Sequence, residues 1–91
     1  MKRRVHLFIS GNVHGVFFRS FIKQHADTLA ITGFVCNTPD FKVEAVAEGE
    51  SRALNKLIDL CKKGPKFAVV EDVRVVEEQF RGGYRGFAVL H

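Results

Sequence analysis

The chain has no Trp, one Met, one Tyr, two Pro and two Cys in 91 residues. Each scarcity excludes something. Cys36 and Cys61 form no CxxC unit and are too few for the disulfide framework of a small secreted scaffold. They are expected to be reduced, partly buried thiols. The histidines, His6, His14, His25 and His91, have no metal-ligand spacing, so no metal site is expected. No apolar run approaches the length needed to span a bilayer. Residues 1–4 are basic, but no apolar segment follows them. No secretory signal is expected, and the expected location is cytoplasmic. Repeats, low-complexity tracts and linkers are absent, so residues 1–91 are expected to form one domain. A strong charge of either sign is also missing. The net charge of +4 suits an anionic ligand or nucleic acid and decides between neither.

What is present is apolar mass: 46% of the residues are hydrophobic and nine are Phe. That is enough for one Phe-rich core, with the modest stability margin of a short chain. Residues 3–10 alternate, with Val5, Leu7 and Ile9 on one side and His6, Phe8 and Ser10 on the other, which predicts a strand. Residues 11–16 hold two glycines and read as a loop. From Phe18 the period becomes helical: Phe18, Phe21, Ile22, His25, Ala26, Leu29 and Ala30 form one apolar face, and Gly33 is expected to end the helical region. Residues 34–37 and 41–48 read as strands joined by a turn at Thr38-Pro39-Asp40. Ser51 is the expected N-cap of a second helix whose stripe is Leu54, Leu57, Ile58 and Cys61. Gly64 and Pro65 stop it. Residues 69–78 predict a fourth strand, 81–83 a turn and 87–90 a short last strand. The fold class is therefore α+β. A β-α-β-β-α-β order predicts the ferredoxin-like split βαβ arrangement: an antiparallel sheet, both helices on one face, and a short C-terminal strand. That fold hosts many functions and settles none.

The segment with chemical content is Gly11-Asn12-Val13-His14-Gly15-Val16-Phe17-Phe18-Arg19. It leaves a strand, makes a Gly-containing loop and enters a helix. Such a loop aims backbone N–H groups into one concavity, and the helix N-terminus adds more of them with a partial positive charge. Arg19 falls in the first helical turn, where a cation is disfavoured by the helix dipole. A guanidinium there is explained by binding two phosphate oxygens. By spacing alone two readings stand, a phosphate cradle or an ordinary turn with a solvent-exposed Arg. A Walker A loop is excluded, because no Gly-Lys-Ser/Thr follows.

The residues Gly11-x-Val13-x-Gly15-Val16-x-Phe18-Arg19 resemble the signature of the acylphosphatase family. So do Gly33-Phe34-Val35-Cys36-Asn37-Thr38 and Val43-Glu44-Ala45. Glu48-Gly49, Gly64-Pro65, Ala68-x-Val70-x-x-Val73 and Tyr84-x-x-Phe87 follow in the family's order. The resemblance implies a mechanism. Arg19 and the backbone amides of His14, Gly15, Val16, Phe17, Phe18 and Arg19 would bind the phosphoryl group of an acyl phosphate. Asn37 would hold the attacking water, with no metal or cofactor and with the substrate's own phosphate taking the proton. Three positions depart from the family pattern: His14 stands for the usual Gln, Phe41 for the usual Gly, and Cys36 for a residue that is often basic.

Other readings compete. Arg85-Gly86-Phe87 superficially resembles an RNA-recognition motif, but it lies on the last strand rather than the third, and residues 42–46 offer no aromatic platform. The expected partner is a small acyl phosphate, not nucleic acid or membrane. A regulatory domain of the same fold is the other rival. The chain's end at His91 favours a free-standing enzyme, expected to be a monomer. The Phe residues of the first helix read as core. Lys62, Lys63 and Lys66 read as a solvated helix C-terminus.

Overall fold

A computed structural model describes Met1–His91. The elements run β1 (Lys2–Asn12), α1 (Phe18–Thr28), β2 (Thr32–Asn37), β3 (Val43–Glu50), α2 (Ser51–Lys63), β4 (Val69–Glu78) and β5 (Phe87–Leu90). The sheet order is β4-β1-β3-β2-β5. β1 pairs antiparallel with β3 and β4, and β2 antiparallel with β3. β5 lies parallel to β2, with Val35 opposite Val89, so the fifth strand makes the sheet mixed. This is the ferredoxin-like α+β fold that the element order predicted.

Alternation decides the faces. Val5, Leu7 and Ile9 of β1, Val43, Ala45 and Ala47 of β3, and Val35 of β2 are all fully buried. They meet Phe18, Ile22 and Ala26 of α1 and Leu54, Leu57 and Cys61 of α2 in one core cluster. On the other face of β1, Arg4 donates to Glu78 (2.8 Å) and Glu48 (3.3 Å). Glu48 is buried, and its carboxylate also accepts the backbone N–H of Arg81 (2.9 Å) and of Gly82 (3.1 Å). A buried carboxylate must be paired and hydrogen-bonded. Here that requirement ties the 79–86 segment across the sheet. The edge strand β4 carries Glu71, Asp72, Arg74 and Glu77 on exposed positions, which discourages pairing with another chain. No helix is long and apolar enough to cross a membrane.

Several boundaries differ from the sequence expectation, each for a tertiary reason. β1 runs past Ser10 to Asn12, through a register shift between Ser10 and Gly11 against β4. α1 does not end at a glycine. Ala30 takes the left-handed conformation (φ 56°), while Ala30 N–H donates to Asp27 O (3.2 Å) and Ile31 N–H to Ala26 O (2.9 Å). These two bonds are the Schellman pattern, with Ala where Gly is usual. Gly33 instead lies within β2, where a Cβ would sit 1.8 Å from Val46 O. Ser51 does not cap α2: Glu50 holds the cap position without a side-chain bond, and Ser51 Oγ accepts from Arg3 Nη1 (2.8 Å). Strand β3 begins at Val43 rather than at residue 41, because Phe41 is left-handed (φ 64°).

Candidate active site

The strand directions bring the site together. β1 and β2 are each antiparallel to β3, so they run the same way, and β5 runs with β2. The C-terminal ends of all three strands therefore open on one edge of the sheet. The loop after β1, Asn37 at the end of β2, and the residues ending β5 meet there. They enclose a cavity of about 350 Å³ lined by Val13, Gly15, Phe17, Phe18, Arg19, Ser20, Asn37, Val89 and His91. That volume is at the lower end of the range for small-ligand sites.

The loop presents donors. No protein carbonyl or side chain accepts the N–H groups of residues 14–17. The N-cap residue of α1, Phe17, makes no side-chain capping bond, so the helix start is not capped from within. Unpartnered N–H groups just before a helix start are of the kind that can receive an anion. Arg19 is half-buried in the first turn. Its Nη1 donates to Leu90 O (3.2 Å) and to His91 Nδ1 (3.2 Å). No carboxylate lies within ion-pair distance of it. Its partners are a carbonyl and a ring nitrogen rather than a carboxylate, which leaves the guanidinium available to an anion.

Asn37 lines the same cavity, and its side chain has no hydrogen-bond partner within the protein. The hairpin after it is closed by others. Thr38 N–H donates to Lys42 O (2.9 Å), Phe41 N–H to Thr38 O (3.1 Å), and Lys42 N–H to Thr38 Oγ1 (3.0 Å). Thr38 Oγ1 also donates to Asp40. Asn37 is thus not needed to build the turn.

Of the residues named from the sequence, Gly15, Phe17, Phe18, Arg19 and Asn37 meet in the cavity. His14 and Val16 do not line it. Val16 packs against the core. His14 turns to the hairpin, where Nε2 donates to Lys42 O (2.7 Å) and the ring lies 5.8 Å from that of Phe41. Two of the departures from the family pattern therefore touch each other, and together they join the loop to the turn beyond Asn37. Phe41 keeps the hairpin despite its positive φ, with its side chain exposed. The third departure, Cys36, is half-buried; burial first, and the Glu44 carboxylate second, hold its thiol above the ordinary range, with Arg19 opposing them. His91 and Val89 were not foreseen in the site. Only the parallel pairing of β5 with β2 could have revealed them.

Known proteins resemble the chain over nearly its whole length. The acylphosphatase family model matches residues 5–89. The chain is 48% identical over 87 residues to an acylphosphatase of Rubrobacter xylanophilus, covering 96% of this chain and 79% of that one. It is 43% identical to an acylphosphatase of Syntrophus aciditrophicus, over 100% of this chain and 95% of the other. Its structure superposes on the crystal structure of acylphosphatase from Bacillus subtilis with a TM-score of 0.94, at 33% identity and over 100% of both chains. With sequence and fold matching over nearly their whole length, the chain belongs to the acylphosphatase family of hydrolases.

Proposed function

We propose that the chain hydrolyses acyl phosphates to a carboxylate and inorganic phosphate, acting as a cytoplasmic monomer without metal or cofactor. The observation that carries this reading is the convergence on one cavity of an Arg without a carboxylate partner, an Asn amide without a protein partner, and a loop with free N–H groups. The phosphoryl group sits against the amides of Gly15, Phe17, Phe18 and Arg19, the residues of the loop that line the cavity, and against the Arg19 guanidinium, whose planar fork spans two phosphate oxygens. Asn37 holds a water molecule through its amide, which both donates and accepts. That water attacks phosphorus in line as the bond from phosphorus to the acyl oxygen breaks, and the carboxylate leaves without needing a proton.

The lining contains no Asp or Glu to act as base. The raised thiol of Cys36 is a poor one at neutral pH. His91 also lines the cavity, but its Nδ1 accepts from Arg19; on the reading carried by the family resemblance, the water's proton passes to a phosphate oxygen of the substrate. Phosphoryl transfer needs positioning and charge stabilisation more than covalent help, and the cavity offers both. The test is release of inorganic phosphate from acetyl phosphate by the purified protein and by Arg19→Ala. Losing this charged donor is expected to lower kcat by roughly 10²–10³ or more, and Arg19→Lys is expected to recover little of it. Near-parent turnover in both variants would remove Arg19 from the mechanism.

A further inference from the structure

Phe17 is the least expected residue at its position. It is 82% exposed, while its neighbour Phe18 is 1% exposed. Its backbone is left-handed (φ 61°, ψ 29°), a conformation uncommon outside Gly and Asn and an outlier for a bulky aromatic. It occupies the N-cap of α1, where Ser, Thr, Asp, Asn or Gly would serve better, and it makes no capping bond. Core packing, backbone preference and helix capping all argue against Phe here. What the ring does contribute is an apolar wall to the cavity that holds Arg19 and Asn37.

The cavity lining is of two kinds. Gly15, Arg19, Ser20, Asn37 and His91 supply polar groups, and Val13, Phe17, Phe18 and Val89 supply apolar ones. An acyl phosphate has the same division, an anionic phosphoryl group joined to an organic acyl group. With the phosphoryl group at Arg19 and the loop amides, the acyl group is left to the apolar residues of the lining. Val13 and Phe18 are buried there, and Phe17 is the large apolar side chain of that lining that stands exposed. The other exposed aromatics, Phe41, Phe67 and Phe80, lie outside the cavity.

We infer that the Phe17 ring is the platform for the acyl group, and that it selects acyl phosphates with aromatic or bulky apolar acyl groups over acetyl phosphate. The inference rests on the acyl-phosphate reading above and adds to it the substrate's organic half. The residue combines this αL backbone with a ring that stands out of the core and lines the cavity.

The test is the ratio of kcat/KM for benzoyl phosphate to that for acetyl phosphate, in the parent, Phe17→Ala and Phe17→Tyr. Intrinsic reactivity and any disturbance of the phosphate loop act on both substrates and cancel in the comparison of ratios between variants. The ratio is expected to fall about tenfold in Phe17→Ala, mainly through the KM for benzoyl phosphate, and to return to near the parent value in Phe17→Tyr. An unchanged ratio in Phe17→Ala overturns the platform and leaves the hydrolase reading standing. A change in sedimentation with the ratio unaltered also overturns it, and makes Phe17 a contact between copies. Failure of the parent to hydrolyse either substrate overturns the acyl-phosphate reading and the platform with it.

Discussion

Asn37 and Thr38 are adjacent, yet the proposed mechanism and the hairpin bonds give them separate tasks, and a crossed pair of substitutions tests that. Asn37 is half-buried at the end of β2, and its side chain makes no bond within the protein. Removing its amide breaks no native contact, so Asn37→Ala should change stability by no more than about 0.5 kcal/mol. Thr38 Oγ1 accepts the Lys42 N–H at 3.0 Å, and it also donates to Asp40. The hydroxyl is exposed enough for water to replace part of this, so Thr38→Ala should cost about 1 kcal/mol. For a domain of this size, that lowers Tm by about 4–8 °C, at least twice the shift expected for Asn37→Ala. Turnover should show the opposite pattern. Losing the water-holding amide should lower kcat roughly 10²–10³-fold with little change in inhibition by inorganic phosphate, because a neutral amide adds little to binding a dianion. Thr38→Ala should retain most of its turnover in the folded fraction. Thermal melts, turnover on acetyl phosphate and the phosphate inhibition constant on both variants decide it. If Asn37→Ala melts early and hydrolyses at the parent rate, Asn37 is a turn residue and the water-positioning role is wrong.

Other expectations follow from the same geometry. In a phosphate or sulfate titration followed by nuclear magnetic resonance, the amides of residues 14–19 should shift most; shifts centred on Lys62, Lys63 and Lys66 would place the anion elsewhere. Ala30→Gly should raise stability by about 0.5–1 kcal/mol, because Gly takes φ 56° without strain and this gain exceeds its extra freedom when unfolded; a lower Tm would contradict it. The hydrogen bond and charge of Arg3 on Glu77, and the hydrogen bonds of Arg4 and His6 on Glu78, hold both carboxyls below their ordinary value of 4.5. The folded state then binds fewer protons than the unfolded one, so this stabilisation is present above about pH 4.5 and is lost as pH falls through the depressed values. Arg3→Gln should lessen the drop in urea midpoint on acidification, and an unchanged drop would show that the Arg3–Glu77 pair contributes nothing. Burial pushes the Cys61 thiol up to about 12, so a thiol reagent at pH 8 should reach it only on unfolding; rapid modification of native protein would sink that reasoning.

Much of the architecture is written locally. Val5, Leu7 and Ile9 repeat at the strand period, and Phe18, Ile22 and Ala26 repeat at the helix period. Residues so close in sequence share a face whatever the rest of the chain does. The Gly15–Arg19 loop is legible for the same reason, since a helix N-terminus and an Arg in its first turn are properties of one short segment. The family pattern carried Asn37, which periodicity alone would have left as a turn residue. Contacts between distant segments are another matter. Nothing near Gly33 announces that Val46 O fills the space a Cβ would need, and nothing near Ala30 shows that it must turn left-handed to close α1. His14 meets Lys42 and Phe41 only after β1 and the β2–β3 hairpin have been laid side by side. The sequence by itself determined the elements, the apolar faces and the Gly-containing loop that enters α1. The tertiary structure decided that β1, β2 and β5 run the same way, so that their ends put Arg19, Asn37 and His91 around one cavity. Strand direction within a sheet is settled by pairings tens of residues apart, which no local period encodes.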